Sequence, residues 1–221
     1  HLLVGLSLAA VVMIVWISIL YLTARPLGDS RQTLAPTPAK TTASHSVTFA
    51  AMGDMLAHDA VDISAKTSGG YDFTPYFNDI KPLYSSADVT FCNPETLVSG
   101  DTYGVTGYPQ FDAPGAFARD LAAVGCNIFN FASNHVADKG QAALDASLAY
   151  WDTLKPLAIT GANRSQQEQD TVKYFTKNGI VFAFLAFADF SNLALPHPYS
   201  VNIYHDTALV DRLMQQTRAH A

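Results

Sequence analysis

Three short stretches place oxygen and imidazole donors at the ends of apolar runs. Asp54 closes "VTFAAMGD", Asn93 and Glu95 fall in "VTFCNPET", and Asn134 and His135 close "NIFNFASNH", with Asp138 and Gly140 just beyond. Carboxylates offer anionic oxygen, asparagine a neutral carbonyl oxygen and histidine a ring nitrogen, a mixture suited to Mn, Fe, Zn or Mg. A divalent cation so held lowers the pKa of a bound water to about 7 and polarises a phosphoryl or carbonyl oxygen. His135 then stands where it can protonate a leaving group, while Asp138 orients the ring or caps the next helix.

Each of these residues also has an ordinary structural reading. Asp54 after Gly53 suits a turn or the N-cap of "MLAHDAVDIS", a role that aspartate often fills. Asn93-Pro94 opens turns, and a lone Glu95 is usually a solvated carboxylate. Asn134-His135 can be turn and cap chemistry. His58, Asp59 and Asp62 read as the exposed face of a helix, with His58 close enough to Asp54 to stay a candidate ligand; His45 lies in the linker, and His197, His205 and His220 fall in no ligand spacing.

The elements that must position these residues alternate. The apolar runs at Asp54, Asn93 and Asn134 read as buried strands, and "LAITGAN" as a fourth. Between them, "APGAFARDLAAVG" spaces Phe117, Leu121 and Val124 at helical intervals before Gly125, and "GQAALDASLAYWDTL" does so at Leu144, Leu148 and Trp151. "FTPYFNDIKPLYSSAD" is helical with a break at Pro82. "TVKYFTKNGIVFAFLAFAD" carries an Asn-Gly hairpin signal, and "DTALVDRLMQQTRAHA" begins a last helix. Alternating strands and helices predict an α/β fold. In a parallel sheet the strand ends share one edge, so Asp54, Asn93, Glu95, Asn134 and His135 converge there.

The sequence has 221 residues and a net charge of -6, enough for one globular domain with appendages. No Lys/Arg cluster is available to neutralise a run of phosphates, which excludes nucleic acid as a partner. Residues 2–24 carry no charge and predict a transmembrane helix, because their length matches a bilayer core of about 30 Å. A cleaved signal peptide is the competing reading, with a shorter apolar region. Residues 25–46, rich in Pro, Ser and Thr, predict an extended linker, and the folded domain occupies 47–221. This arrangement places the domain outside the cytoplasm, in the cell membrane's outer aqueous side. Cys92 and Cys126 are expected at opposite ends of neighbouring strands, too far apart to bridge, hence as two free buried thiols.

The segments "FAAMGDMLAHDAV", "SSADVTFCNPET", "FDAPGAFARDLAAVGCNIFNFASNHVADKG", "ITGAN" and "NGIVFAFLAF" follow one another as in the bacterial capsule synthesis protein CapA family, also called PgsA, which this sequence resembles. The resemblance implies a metallophosphoesterase-like layered fold, related to the calcineurin-like enzymes, and a role in poly-γ-glutamate capsule biosynthesis or export. It makes Asp54, Glu95 and Asn134 metal ligands, His135 the general acid and Asp138 its support, around a divalent Mn, Fe or Zn centre that is dinuclear when complete. It also implies capsule synthase subunits and an anionic polymer as partners. Two departures stand out: Leu56 occupies the second position of the superfamily's Asp-x-His pair, and the later His-Trp-Gly-x-Glu-Tyr motif is expected to lie in a missing C-terminal part. The chemistry expected of an enzyme is metal-assisted hydrolysis of a phosphoester or amide-type bond. The alternative is a non-catalytic accessory or polymer-binding subunit beside a membrane synthase.

Overall fold

The computed structural model describes residues 45–220. The expected transmembrane helix and residues 25–44 of the linker lie outside the described residues, among which no helix is long and apolar enough to cross a membrane.

A four-stranded parallel sheet organises the domain. Its strands are β1 (Phe49–Met55), β4 (Val89–Pro94), β5 (Ile128–Asn130) and β6 (Ala158–Thr160), side by side in that order. Each crossover is helical, as parallel neighbours require. Between β1 and β4 run α1 (Asp59–Ala65), the two-residue strands β2 (Lys66–Thr67) and β3 (Gly70–Tyr71), α2 (Thr74–Phe77) and α3 (Lys81–Ser85). The predicted single helix through Pro82 is therefore two short ones, each with a proline in its first turn, where the missing N–H costs nothing. Then come α4 (Gly100–Tyr103), α5 (Gly115–Val124) before β5, α6 (Gly140–Thr153) before β6, and α7 (Gln166–Gln169). Gly125 ends α5 at φ 121°, the left-handed cap that its place in the sequence predicts.

Side-chain alternation along the strands builds two cores. On one face Cys92 and Phe129 join Phe117, Leu121, Leu144, Leu148 and Trp151 from α5 and α6, with Phe129 against Trp151 at 4.3 Å between ring centroids. On the other face Val89, Ile128 and Ala158 pack with Phe91, Phe175 and Phe184. The last two come from the antiparallel hairpin β7 (Lys173–Lys177) and β8 (Ile180–Phe184), turned by Asn178 and Gly179, both at positive φ as the primed turn demands. Beyond the hairpin, α8 (Thr207–Arg218) buries Leu209 and Leu213 against Val172. The layers thus run helices, parallel sheet, hairpin, helix, which is the α/β arrangement expected.

The cysteines overturn their expectation. Cys92 and Cys126 form a disulfide with their Cα atoms 5.8 Å apart. The strand containing Cys92 continues to Pro94, so this residue sits mid-strand on the helix-facing side. Cys126 lies in the turn between Gly125 and β5, where the Leu121 carbonyl accepts its N–H. Both thus face the same layer. Closing a loop of this length in the unfolded chain is worth about 4 kcal/mol by the chain-entropy estimate. Replacing both cysteines by alanine is expected to lower the unfolding free energy by about that amount in urea titrations, and a change below about 1 kcal/mol argues against the bridge.

Candidate functional site

The site begins with strand register. Asp54 pairs directly with Asn93 across β1 and β4, while Cys92 pairs with Phe129, which sets Asn130 opposite Asn93. A chain of side-chain hydrogen bonds follows. The Asn130 amide donates to Asn93 Oδ1 (2.8 Å), and the Asn93 amide donates to Asp54 Oδ1 (2.6 Å). Asn130 Oδ1 in turn accepts from the Ala132 N–H at 2.8 Å, fixing the backbone as it leaves β5. Gly161, at φ 108°, permits the chain leaving β6 to lie against Ala132, because a Cβ there would press into the Ala132 backbone.

Asp54, Asn93, Glu95 and Asn134 line one cleft of about 230 Å³, closed by Phe187, Asp189 and Phe190. Glu95 lies beside Asp54. Burial, and then the Asp54 charge and a hydrogen bond to it, raise the Glu95 carboxyl above its ordinary 4.5, with the His135 charge pulling the other way. The two carboxyls are near enough to repel, and a cation between them would relieve that repulsion.

His135 and Asp138 line a neighbouring cavity of about 500 Å³ together with Tyr108, Gln110, Asn192 and Leu193. The ring is largely enclosed, with its side chain 13% exposed, and Asp138 is 1% exposed. His135 Nδ1 lies 2.8 Å from Asp138 Oδ2, which also accepts the Phe111 N–H at 2.9 Å. With Nδ1 so engaged, Nε2 is the nitrogen left to exchange a proton. Phe111 meets the ring edge-on at 4.7 Å. Asn192 Nδ2 stands 3.3 Å from both ring nitrogens, which places it over the ring face, since an in-plane position equidistant from both would clash with Cε1. Asn192 also binds Asn134 twice: its N–H donates to the Asn134 carbonyl, and its Oδ1 accepts from the Asn134 amide.

The five predicted residues therefore occupy two adjoining spaces, with Asp54, Glu95 and Asn134 on one side and His135 and Asp138 on the other. Among the described residues no group of three or more His, Cys, Asp and Glu side chains is gathered closely enough to hold a metal. The donor set at Asp54, Glu95 and Asn134 Oδ1 has the oxygen chemistry that one hard divalent cation takes. A second ligand set for a dinuclear centre is not assembled among them. Three participants were missed in the sequence. Asn130 is a polar residue inside an apolar run, whereas Asn192 and Asp189 lie beyond β8 in a stretch with no periodicity. Asp189 holds the exposed His205 at 2.8 Å, which brings a histidine without ligand spacing to the cleft's border. Asp62, expected on an exposed helix face, is instead buried, while His58 and Asp59 are exposed as expected.

A family model described as bacterial capsule synthesis protein PGA_cap matches residues 48–217. The chain belongs to the bacterial capsule synthesis protein family. The match takes in the whole sheet, the hairpin and nearly all of α8, so every residue of the site lies within it. Two proteins of Sinorhizobium fredii (strain NBRC 101917 / NGR234), the uncharacterized proteins y4sH and y4uA, are each 36% identical over 100 residues. The shared stretch covers 42% of this chain and 20% of each relative, so the chain spans about a fifth of the length of the curated relatives it matches.

Two predictions follow from the geometry. Because the folded-state pKa of Glu95 is raised, the group costs no stability below pH 4.5 and opposes folding as pH climbs through the raised value. In cation-free buffer the urea midpoint is expected to fall over that range, and Glu95→Gln is expected to flatten the fall; an unchanged pH slope in the variant counts against the carboxyl pair. Asp138→Ala leaves the Phe111 N–H and the His135 ring without their acceptor. This is expected to cost about 2–3 kcal/mol in the same titration, the order found for orphaned buried groups.

Proposed function

We propose that this capsule-family chain is a membrane-anchored, extracytoplasmic, metal-dependent hydrolase acting in the assembly or export of an anionic capsular polymer such as poly-γ-glutamate. The observation that carries this reading is the Asp54–Glu95 carboxyl pair set in one cleft with the Asn134 oxygen. Asp54, Glu95 and Asn134 are the residues that would hold a divalent cation of the Mn, Fe or Zn class. Once bound, such a cation supplies Lewis acidity and an activated water for attack on a phosphoester or amide-type bond.

The chain's own residues supply the rest. Asn93, locked between Asp54 and Asn130, fixes the Asp54 carboxylate so that it does not reorganise when charge arrives. Asp138 holds His135 Nδ1 and leaves Nε2–H free to protonate a leaving group in the larger cavity. Asn192 joins the two spaces by binding both Asn134 and His135. The Cys92–Cys126 disulfide supports an oxidising, extracytoplasmic location, and residues 2–24 are suited to the anchor.

A second reading, a non-catalytic accessory or polymer-binding subunit, is favoured by the aromatic rims. Phe190 beside the cleft is 56% exposed and Tyr108 beside the His135 cavity is 73% exposed, surfaces suited to contact with a polymer or partner. Elemental mass spectrometry separates the two readings. A hydrolase is expected to retain a near-stoichiometric Mn, Fe or Zn ion that is lost in the Asp54→Ala/Asn134→Ala double variant. His135→Ala is expected to keep the metal yet slow hydrolysis of a chromogenic phosphodiester or γ-glutamyl amide by about 10²–10⁴-fold. A folded chain that binds no metal after supplementation favours the accessory subunit.

A further inference from the structure

Away from the Asp54 cleft, one charged side chain among the described residues is buried with no partner at all. Asp62 on α1 is 6% exposed, and neither of its carboxyl oxygens meets a hydrogen-bond donor. The helix around it is inverted in polarity, because the neighbouring Ile63 is 75% exposed while the acid is inside. Asp62 faces a cavity of about 190 Å³ that it shares with Asp59, Lys66, Tyr71 and the chain from Val105 to Gly107.

Asp59 precedes Asp62 by three residues on the helix, which puts both carboxyls on one side of α1. The Asp59 carboxyl reaches the loop opposite: Tyr108 N donates to Asp59 Oδ2 at 3.3 Å, and a Cβ at Gly107 would run into the same carboxyl. The positive groups nearby do not neutralise the pair. Of the two acids His58 reaches Asp59, at 3.1 Å, and forms no ion pair with Asp62, while Lys66 lines the cavity without pairing with either. Burial and then the Asp59 charge push the Asp62 carboxyl up to about 7, the behaviour of an anion lacking its counter-charge.

We propose that Asp59 and Asp62 bind a hard divalent cation of the calcium class, which ties α1 to the loop through Val105–Gln110. All the side-chain donors are oxygens, and the remaining positions fall to loop carbonyls and water, an irregular shell that calcium accepts and magnesium resists. With only two carboxylates, the affinity falls in the range of about 10⁻⁴–10⁻³ M typical of extracellular modules. The loop being tied ends in Tyr108, Pro109 and Gln110, which wall the His135 cavity. The cation thus fixes the shape of that cavity from a distance. This inference is independent of any metal at Asp54.

Thermal unfolding of the full chain with calcium chloride as the probe tests the site. The wild-type chain and an Asp54→Asn/Glu95→Gln variant are expected to gain thermal stability in millimolar calcium and to show slower hydrogen exchange over residues 105–110. Asp62→Asn is expected to weaken the calcium dependence at least tenfold, and Asp59→Asn, at an exposed position, to do the same if Asp62→Asn does not fold. No calcium response in the wild type overturns the proposal. So does an equal response in the Asp59 and Asp62 variants, or a stabilised Asp62→Asn with no calcium effect in either chain, which would make Asp62 a protonated core acid.

Discussion

The parallel pairing of β1, β4 and β5 is the constraint on which the site depends. These strands stop within a residue or two of one another, and their register sets Asp54 beside Asn93 and Asn93 beside Asn130. The three side chains then close a hydrogen-bonded row across the sheet's carboxyl edge. A one-residue slip would turn every strand side chain to the opposite layer, sending Phe129 away from Trp151 and the asparagine row into the core. Packing on both faces of the sheet therefore holds the polar edge in place, although no polar group of the row takes part in that packing.

Electrostatics divides the edge into two compartments. The cleft sets the Asp54 and Glu95 carboxyls side by side, whereas the adjoining cavity gathers an imidazole, its acid partner and an aromatic wall. Asn192 is the partition, touching Asn134 on one side and the face of His135 on the other. Because its own backbone N–H is bound by the Asn134 carbonyl, the partition is fixed to the same turn that supplies the site residues. The two compartments thus meet at Asn134 and His135, neighbours in the sequence that line different spaces.

Much of this was legible in the sequence, and the exceptions have physical causes. Apolar runs that end in Asp54, Asn93 and Asn134 announce strands and their common edge, and Gly125 and Asn178-Gly179 announce a cap and a hairpin that the backbone adopts. Asn130 was illegible because a polar residue inside a strand shows its partner only once the register is known. Asn192 was illegible because it lies in irregular chain, where no period assigns a side. The cysteine pairing failed on strand length: two more residues in β4 move Cys92 from an end to the middle. Asp62 failed because helical reading assumes that isoleucine goes in and aspartate goes out, and α1 does the reverse.

The disulfide has a topological consequence for the walls of the site. Cys92 and Cys126 enclose residues 93–125 in a covalent ring, and that ring contains Glu95, the exposed turn at Tyr103 and Gly104, and the Tyr108–Phe111 wall. A protease that nicks the exposed turn opens the ring without dividing the molecule. Both new ends stay tethered to the sheet, one through β4 and the other through the start of β5. A clipped wall would therefore remain on its own foundation.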